Sequence, residues 1–197
     1  ADRVHRFDWL ADVFAQGDAG ADRARFLVDD WIANFGRFNG FAWRTGCAAD
    51  RVWNWMLCGA ALFEQGREQD IENRLESLGR QLRHLEAMKD DCSDFTARWK
   101  LVCVMVLDSL CLKDGDGYDE ALERLENECT AQILPDGGHA TRAPSRGLAA
   151  LLDLSVIRDA IERSQRPVPG FISSWIGRLG GMVGFFRCGD GAMPVFN

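Results

Sequence analysis

The chain has 197 residues, 47% hydrophobic and 27% charged, with a formal net charge of −7 and a sequence pI of about 5.0. That balance is globular rather than disordered, lacks the positive footprint of a generic nucleic-acid binder, and sets a repulsive mean field against a highly sulfated polymer unless arginines cluster locally. No apolar run approaches the roughly 18 residues of a membrane span, and no lipidation signal or charged-then-apolar leader is legible.

Breaks in the helical pattern fall at Gly17–Gly20, Gly36–Gly46, Gly66, Lys89–Ser93, Lys113–Gly117, Pro135–Pro144, Arg166–Gly170 and from Gly189 onward. These breaks leave about seven or eight helices and no convincing alternating strand. His5 lies on a charged helix and is expected to be solvated, as is His84. Trp53 and Trp55 flank Asn54, and two residues so spaced cannot share one helix face, so at least one belongs to the core. Ile71, Leu75, Leu78, Leu82, Leu85 and Met88 recur at steps of three or four and predict an apolar stripe. Arg74, Glu76, Arg80, Gln81 and Arg83 are expected on its polar side. Phe95 to Leu112 is apolar all round and reads as a buried inner helix. Asp114-Gly115-Asp116-Gly117-Tyr118-Asp119 fails as a calcium loop, since Asp119 stands where the loop needs Gly and Leu125 where it needs Glu. A turn with capping aspartates fits better.

Leu122, Leu125, Cys129 and Ile133 form the inner face of the next helix. Pro135 stops it, and Gly137 and Gly138 permit a sharp turn. The turn brings His139 and Arg142 to one loop. Leu148, Leu151, Leu152, Ser155 and Ile161 mark a further helix after Pro144. Consecutive helices of similar length with short connections suit antiparallel hairpins. The seven cysteines are odd in number, form no Cys-x-x-Cys and lie mostly in apolar stretches. They read as small core residues in a reducing compartment. No metal or other cofactor is expected.

Gln132-Ile133-Leu134-Pro135-Asp136-Gly137-Gly138-His139 resembles the Gln-Ile-Leu-x-Asp-Gly-Gly-His loop of the heparinase II/III family of polysaccharide lyases. Trp43 followed by Arg51-Val52-Trp53-Asn54-Trp55 is similar to a second segment of that family. Phe7-Asp8-Trp9-Leu10 resembles its early helix. Phe185-Phe186-Arg187, Gly189-Asp190-Gly191 and Phe196-Asn197 resemble the stretch that closes its helical domain. The resemblance implies an all-α fold, an incomplete α/α toroid of antiparallel helical hairpins. It places the toroid-like domain at residues 1–188 and the start of a linker to a β-rich domain at 189–197, so the chain is expected to be part of a longer protein. The family's lyases work in the periplasm, whereas the cysteines favour the cytoplasm, and both locations stay open.

The implied reaction is β-elimination at a uronic acid in an acidic polysaccharide. That chemistry needs a group to neutralise the uronate carboxylate, a base to take the C5 proton and an acid to protonate the leaving oxygen. The resemblance offers His139 as the catalytic candidate and Arg142, Arg146, Asn54, Arg51 and Trp43 as substrate-binding candidates. Arg142 and Arg146 would clamp a carboxylate or sulfate, Asn54 would meet a sugar hydroxyl, and the tryptophans would stack on pyranose faces. His139 would otherwise stiffen the turn, and the tryptophans would otherwise pack. The chain departs from the pattern where Phe95-Thr96-Ala97-Arg98-Trp99-Lys100 lacks the family's Asn-His pair, and where Arg146 replaces its Tyr. Arginine cannot exchange protons near neutrality. The isolated chain is therefore expected to be inactive, with a non-catalytic glycan-binding or protein-interaction module as the alternative.

Overall fold

The computed structural model describes residues 2–112 and 115–186. The described residues are helical, in the order α1 (Asp2–Arg6), α2 (Leu10–Phe14), α3 (Asp18–Phe35), α4 (Thr45–Leu57), α5 (Gly59–Phe63), α6 (Glu68–Ala87), α7 (Phe95–Leu112), α8 (Gly115–Gln132), α9 (Pro144–Arg163) and α10 (Gly170–Phe186). Extended pairing among them is confined to one isolated bridge, Ile133 with His139. No described helix is long and apolar enough to cross a membrane. The expected linker at 189–197, together with Cys188 and Asp114, lies outside the described residues. The chain divides into two compact units, Ala1–Val104 and Met105–Asn197.

In the first unit α1 packs on α4, and α2 on α3. Gly17 turns the chain with φ 81°. The α3 helix then runs so close to α2 that a Cβ on Gly20 would collide with the Val13 carbonyl. The core joins Phe7, Leu10, Val28, Trp31, Trp43, Trp55 and Leu62. Phe7, Trp31 and Trp55 meet edge-to-face, with centroids 5.6–5.8 Å apart, an arrangement that favours ring edges against ring faces. Phe7 does not continue a helix. It adopts φ 61° at the joint between α1 and α2, a left-handed geometry held by complete burial of its ring.

Several expectations about faces are corrected here. The inward face of α6 is Arg74, Ser77, Gln81 and Leu85, whereas Leu75 is 48% exposed. Two of these buried polar groups, Arg74 and Gln81, have partners distant in sequence. Arg74 donates from Nε and Nη2 to the two carboxylate oxygens of Asp29 (2.7 and 2.6 Å) and from Nη1 to the Leu62 carbonyl (3.1 Å). Burial is tolerated when every donor finds an acceptor. Trp53 and Trp55 are both core, with Lys100 Nζ 4.4 Å from the Trp53 ring centre. His5 is buried, and its Nδ1 accepts the Trp31 indole N–H at 3.0 Å. His84 is half-buried and donates from Nε2 to the Trp43 carbonyl at 2.8 Å.

The inner-helix reading of α7 holds: no described residue from 97 to 110 is fully exposed. In the second unit α9 pairs most extensively with α10. The inner face of α8 is Leu125, Cys129 and Gln132. On α9 the buried series is Pro144, Gly147, Ala150, Leu154, Ile157 and Ile161, whereas Leu152 is mostly exposed. The buried face of α9 is thus offset from the predicted stripe and includes the small residues Gly147 and Ala150.

Candidate functional site

The loop between α8 and α9 is built by its own main chain. Gln132 and Leu134 pair across the turn with Ala140 and Gly138 (Ala140 N–H to Gln132 carbonyl and Leu134 N–H to Gly138 carbonyl, both 2.8 Å). Gly137 has φ 83°, and a Cβ on it would collide with the Arg178 carbonyl of α10. Only glycine permits both the angle and the approach. Asp136 closes the tip by accepting the Gly138 N–H at 2.9 Å and an Arg142 Nη1 donor at 3.2 Å. The Gly138 N–H, with Arg142 second, holds the Asp136 carboxyl below its usual range. Pro144 then opens α9 at a first-turn position where its missing N–H costs nothing.

His139 is 8% exposed. Its Nδ1 accepts the Thr141 main-chain N–H at 3.2 Å and lies 2.8 Å from the Thr141 hydroxyl. An accepting Nδ1 assigns the ring proton to Nε2. Burial, and then the positive charge of Arg146, push its pKa below 6.5, so the ring is neutral at pH 7. Arg146 itself is exposed on the first turn of α9. His139, Asp136, Arg142, Pro144 and the α10 residues Met182, Val183, Phe185 and Phe186 line a cavity of about 180 Å³. Its walls are mainly apolar, with few convergent polar groups. Such a lining suits an apolar side chain better than a pyranose, whose hydroxyls need several partners.

The structure thus gathers His139, Arg142 and Arg146 on one loop and helix start in the second unit. Trp43, Arg51 and Asn54 belong to the first. Arg51 has no exposed surface. It donates from Nε to Gln81 Oε1, and from Nη1 to the carbonyls of His5 (3.0 Å) and Ala42 (2.8 Å). Its guanidinium lies 4.2 Å from the Trp31 ring centre and 5.9 Å from that of Trp43. No described carboxylate pairs with it, and burial lowers its pKa to about 10, still a cation at neutrality. Trp43 is 4% exposed and donates Nε1–H to the Phe35 carbonyl at 2.8 Å. Asn54 is half-buried, and its Nδ2 donates to the Arg6 carbonyl at 2.9 Å. In this geometry Arg51 and Asn54 tie α4 to α1, and Trp43 ties its loop to the end of α3.

Tyr118, the only tyrosine of the chain, is buried under the Arg166 guanidinium, 4.4 Å from its ring centre. Burial raises its pKa, so it is no ready proton donor. Cys129 and Cys58 are pushed up to about 12 and about 11 by burial, far from thiolate reactivity. No group of three or more His, Cys, Asp or Glu side chains among the described residues is placed to hold a metal ion. Sequence reasoning missed the exposed rings of Phe35, Phe38 and Phe41. Their signal was legible as a stretch from Ala33 to Gly46 rich in Phe and Arg and devoid of acids.

No family model matches the chain. It is 36% identical over 199 residues to FtsZ-localized protein C of Caulobacter vibrioides, an alignment that covers 98% of this chain and 34% of that protein. Among solved structures it is similar to a mutant of the heparan sulfate lyase HepC of Pedobacter heparinus, with a TM-score of 0.64 at 17% identity, covering 98% of this chain and 33% of the lyase. The chain therefore spans about a third of the length of each protein that it matches. The likeness to the lyase bears out the expected fold class: an all-α, heparinase-like helical fold of the α/α toroid type.

Proposed function

We propose that this chain is a protein-binding module on a heparinase-like helical scaffold, working in an FtsZ-associated protein as its relative's name describes for that relative, and not as a lyase. The observation that carries the reading is the setting of His139. Its Nδ1 is engaged by the Thr141 main-chain N–H, it borders a mainly apolar cavity, and burial with the Arg146 charge lowers its pKa. Beside it, an arginine occupies the place where the resembling lyases put a tyrosine. Burial and Arg146 both weaken His139 as a base, and Arg146 cannot act as the acid. Arg51 and Asn54, two of the substrate-binding candidates, are engaged in packing.

The second reading is eliminative cleavage of a uronic-acid polysaccharide by a longer protein whose β-rich domain would complete the site. The helical fold and the Asp136–Arg142 loop beside His139 favour it. One pair of measurements separates the two, made on the polypeptide as its source expresses it. Elimination creates a conjugated uronate that absorbs in the ultraviolet, and association with FtsZ is read by co-pelleting with FtsZ polymers. The binding reading expects co-pelleting without an absorbance rise across a panel of uronate polymers. An absorbance rise lost in His139→Ala would replace it with the lyase reading.

A further inference from the structure

The connection from α3 to α4, together with α1, differs in character from the rest of the chain. No acidic residue lies between Ala33 and Gly46, and Arg37 and Arg44 are both exposed there. The α1 helix adds Arg3 and Arg6; Arg6 pairs with Asp50 of α4 at 3.5 Å and reaches Asp2 at 4.0 Å, and Arg44 Nη2 lies 3.0 Å from the Asp2 carboxylate, which brings the two segments together. On a chain of net charge −7, the arginines of this face (Arg3, Arg6, Arg37 and Arg44) outnumber the carboxylates they pair with (Asp2 and Asp50).

Three phenyl rings stand on that face: Phe38 at 71% exposure, Phe41 at 46% and Phe35 at 38%. Buried and half-buried rings pack behind them. Phe35 and Phe41 meet the buried His5 ring edge-on at 4.7 and 5.2 Å, and Phe38 lies 6.2 Å from Trp43 and 5.6 Å from His84. Asn39 Oδ1 accepts the main-chain N–H groups of Ala42 (2.8 Å) and Phe41 (3.3 Å), which fixes the loop. Rings set in advance lose little entropy on binding. Aromatic side chains interspersed with arginine are also the composition of interface hot spots.

Resting on the binding-module reading, we infer that this face docks an acidic segment of a partner protein, whose apolar side chains seat on Phe35, Phe38 and Phe41 while its carboxylates pair with Arg37 and Arg44. Charge complementarity selects an acidic occupant. The exposed phenyl rings suit a peptide's apolar side chains, and Asn39, the side-chain amide among them, is bonded to its own loop and not turned to a sugar hydroxyl. The Arg44–Asp2 pair is solvent-exposed and exchanges for a partner carboxylate at little cost.

The test is fluorescence anisotropy with a labelled synthetic peptide alternating glutamate with leucine and phenylalanine, beside a version with lysine for glutamate. The acidic peptide binds, added salt weakens it, and Phe38→Ala and Arg37→Glu each reduce affinity by about tenfold or more. Both sites are exposed, so unchanged thermal melting verifies the fold of each variant. No binding at millimolar peptide, equal affinity for the lysine version, or indifference to both substitutions overturns the inference. So does a uronate oligosaccharide that binds this face where the acidic peptide does not. Peptide binding without FtsZ co-pelleting keeps the docking face and removes FtsZ as its partner. Co-pelleting that is indifferent to both substitutions removes the face and keeps the module.

Discussion

Arg51 in the first unit and His139 in the second are both nearly inaccessible titratable groups in segments that resemble lyase motifs, yet their surroundings differ. Arg51 is enclosed by two carbonyls, a glutamine oxygen and two indole faces. His139 is enclosed on one side by Thr141 and opens on the other to a cavity. Burial by itself does not separate structural from functional groups. The presence of space beside the group, and of chemistry lining that space, is what distinguishes them.

The largest test of this contrast is Arg51→Ala. It leaves Gln81 Oε1 and two main-chain carbonyls without their donor and should lower the unfolding free energy by about 3–5 kcal/mol, read by urea denaturation. Arg51→Met, apolar and similar in length, should recover part of that loss. A wild-type midpoint for both variants would mean that the cation is not a core element. Gly137→Ala should cost less, about 1–3 kcal/mol for forcing a left-handed angle, with the clash against the Arg178 carbonyl adding to it. Circular dichroism of that variant should retain its helix content, because the strain falls on the loop.

A smaller effect concerns pH. The pKa values of both His5 and His139 lie below 6.5, through burial first and then the charge of Arg51 or Arg146. The unfolded chain then binds protons more readily than the folded one, so the histidine contribution is complete above pH 6.5 and is lost as pH falls through the folded values. Urea midpoints between neutral and mildly acidic pH should fall accordingly, and His139→Gln should flatten part of that slope. A midpoint that rises on acidification would contradict the assignment of both rings as neutral. The smallest effect belongs to Arg142→Ala, which removes an exposed pair with Asp136 and should leave the thermal midpoint within error.

The sequence showed the helices, the apolar α7 and the glycine turn because each is encoded locally. It misled where polarity was taken as exposure. Arg74 and Gln81 face inward because their partners, Asp29 and Arg51, come from 45 and 30 positions away, a pairing that no periodicity reveals. His5 was read as solvated for the same reason, its acceptor being matched to an indole on α3. The Trp43, Arg51 and Asn54 cluster was legible as a motif, but a motif that stabilises a fold and one that binds a ligand use the same residue types. The phenyl rings between α3 and α4 went unweighed because exposed phenylalanine carries no chemistry that a motif would record.

The placement of the indoles offers a spectroscopic handle. Trp9, Trp31, Trp43, Trp53, Trp55 and Trp99 fall within the first unit, and Trp175 is the one indole of the second. Emission excited in the red edge of the protein's absorbance is therefore dominated by one half of the chain. Trp175→Phe would make it report on that half exclusively, whereas a Trp175-only variant would watch the α10 helix against which the Gly137 turn rests, with the Arg178 guanidinium 4.6 Å from that ring.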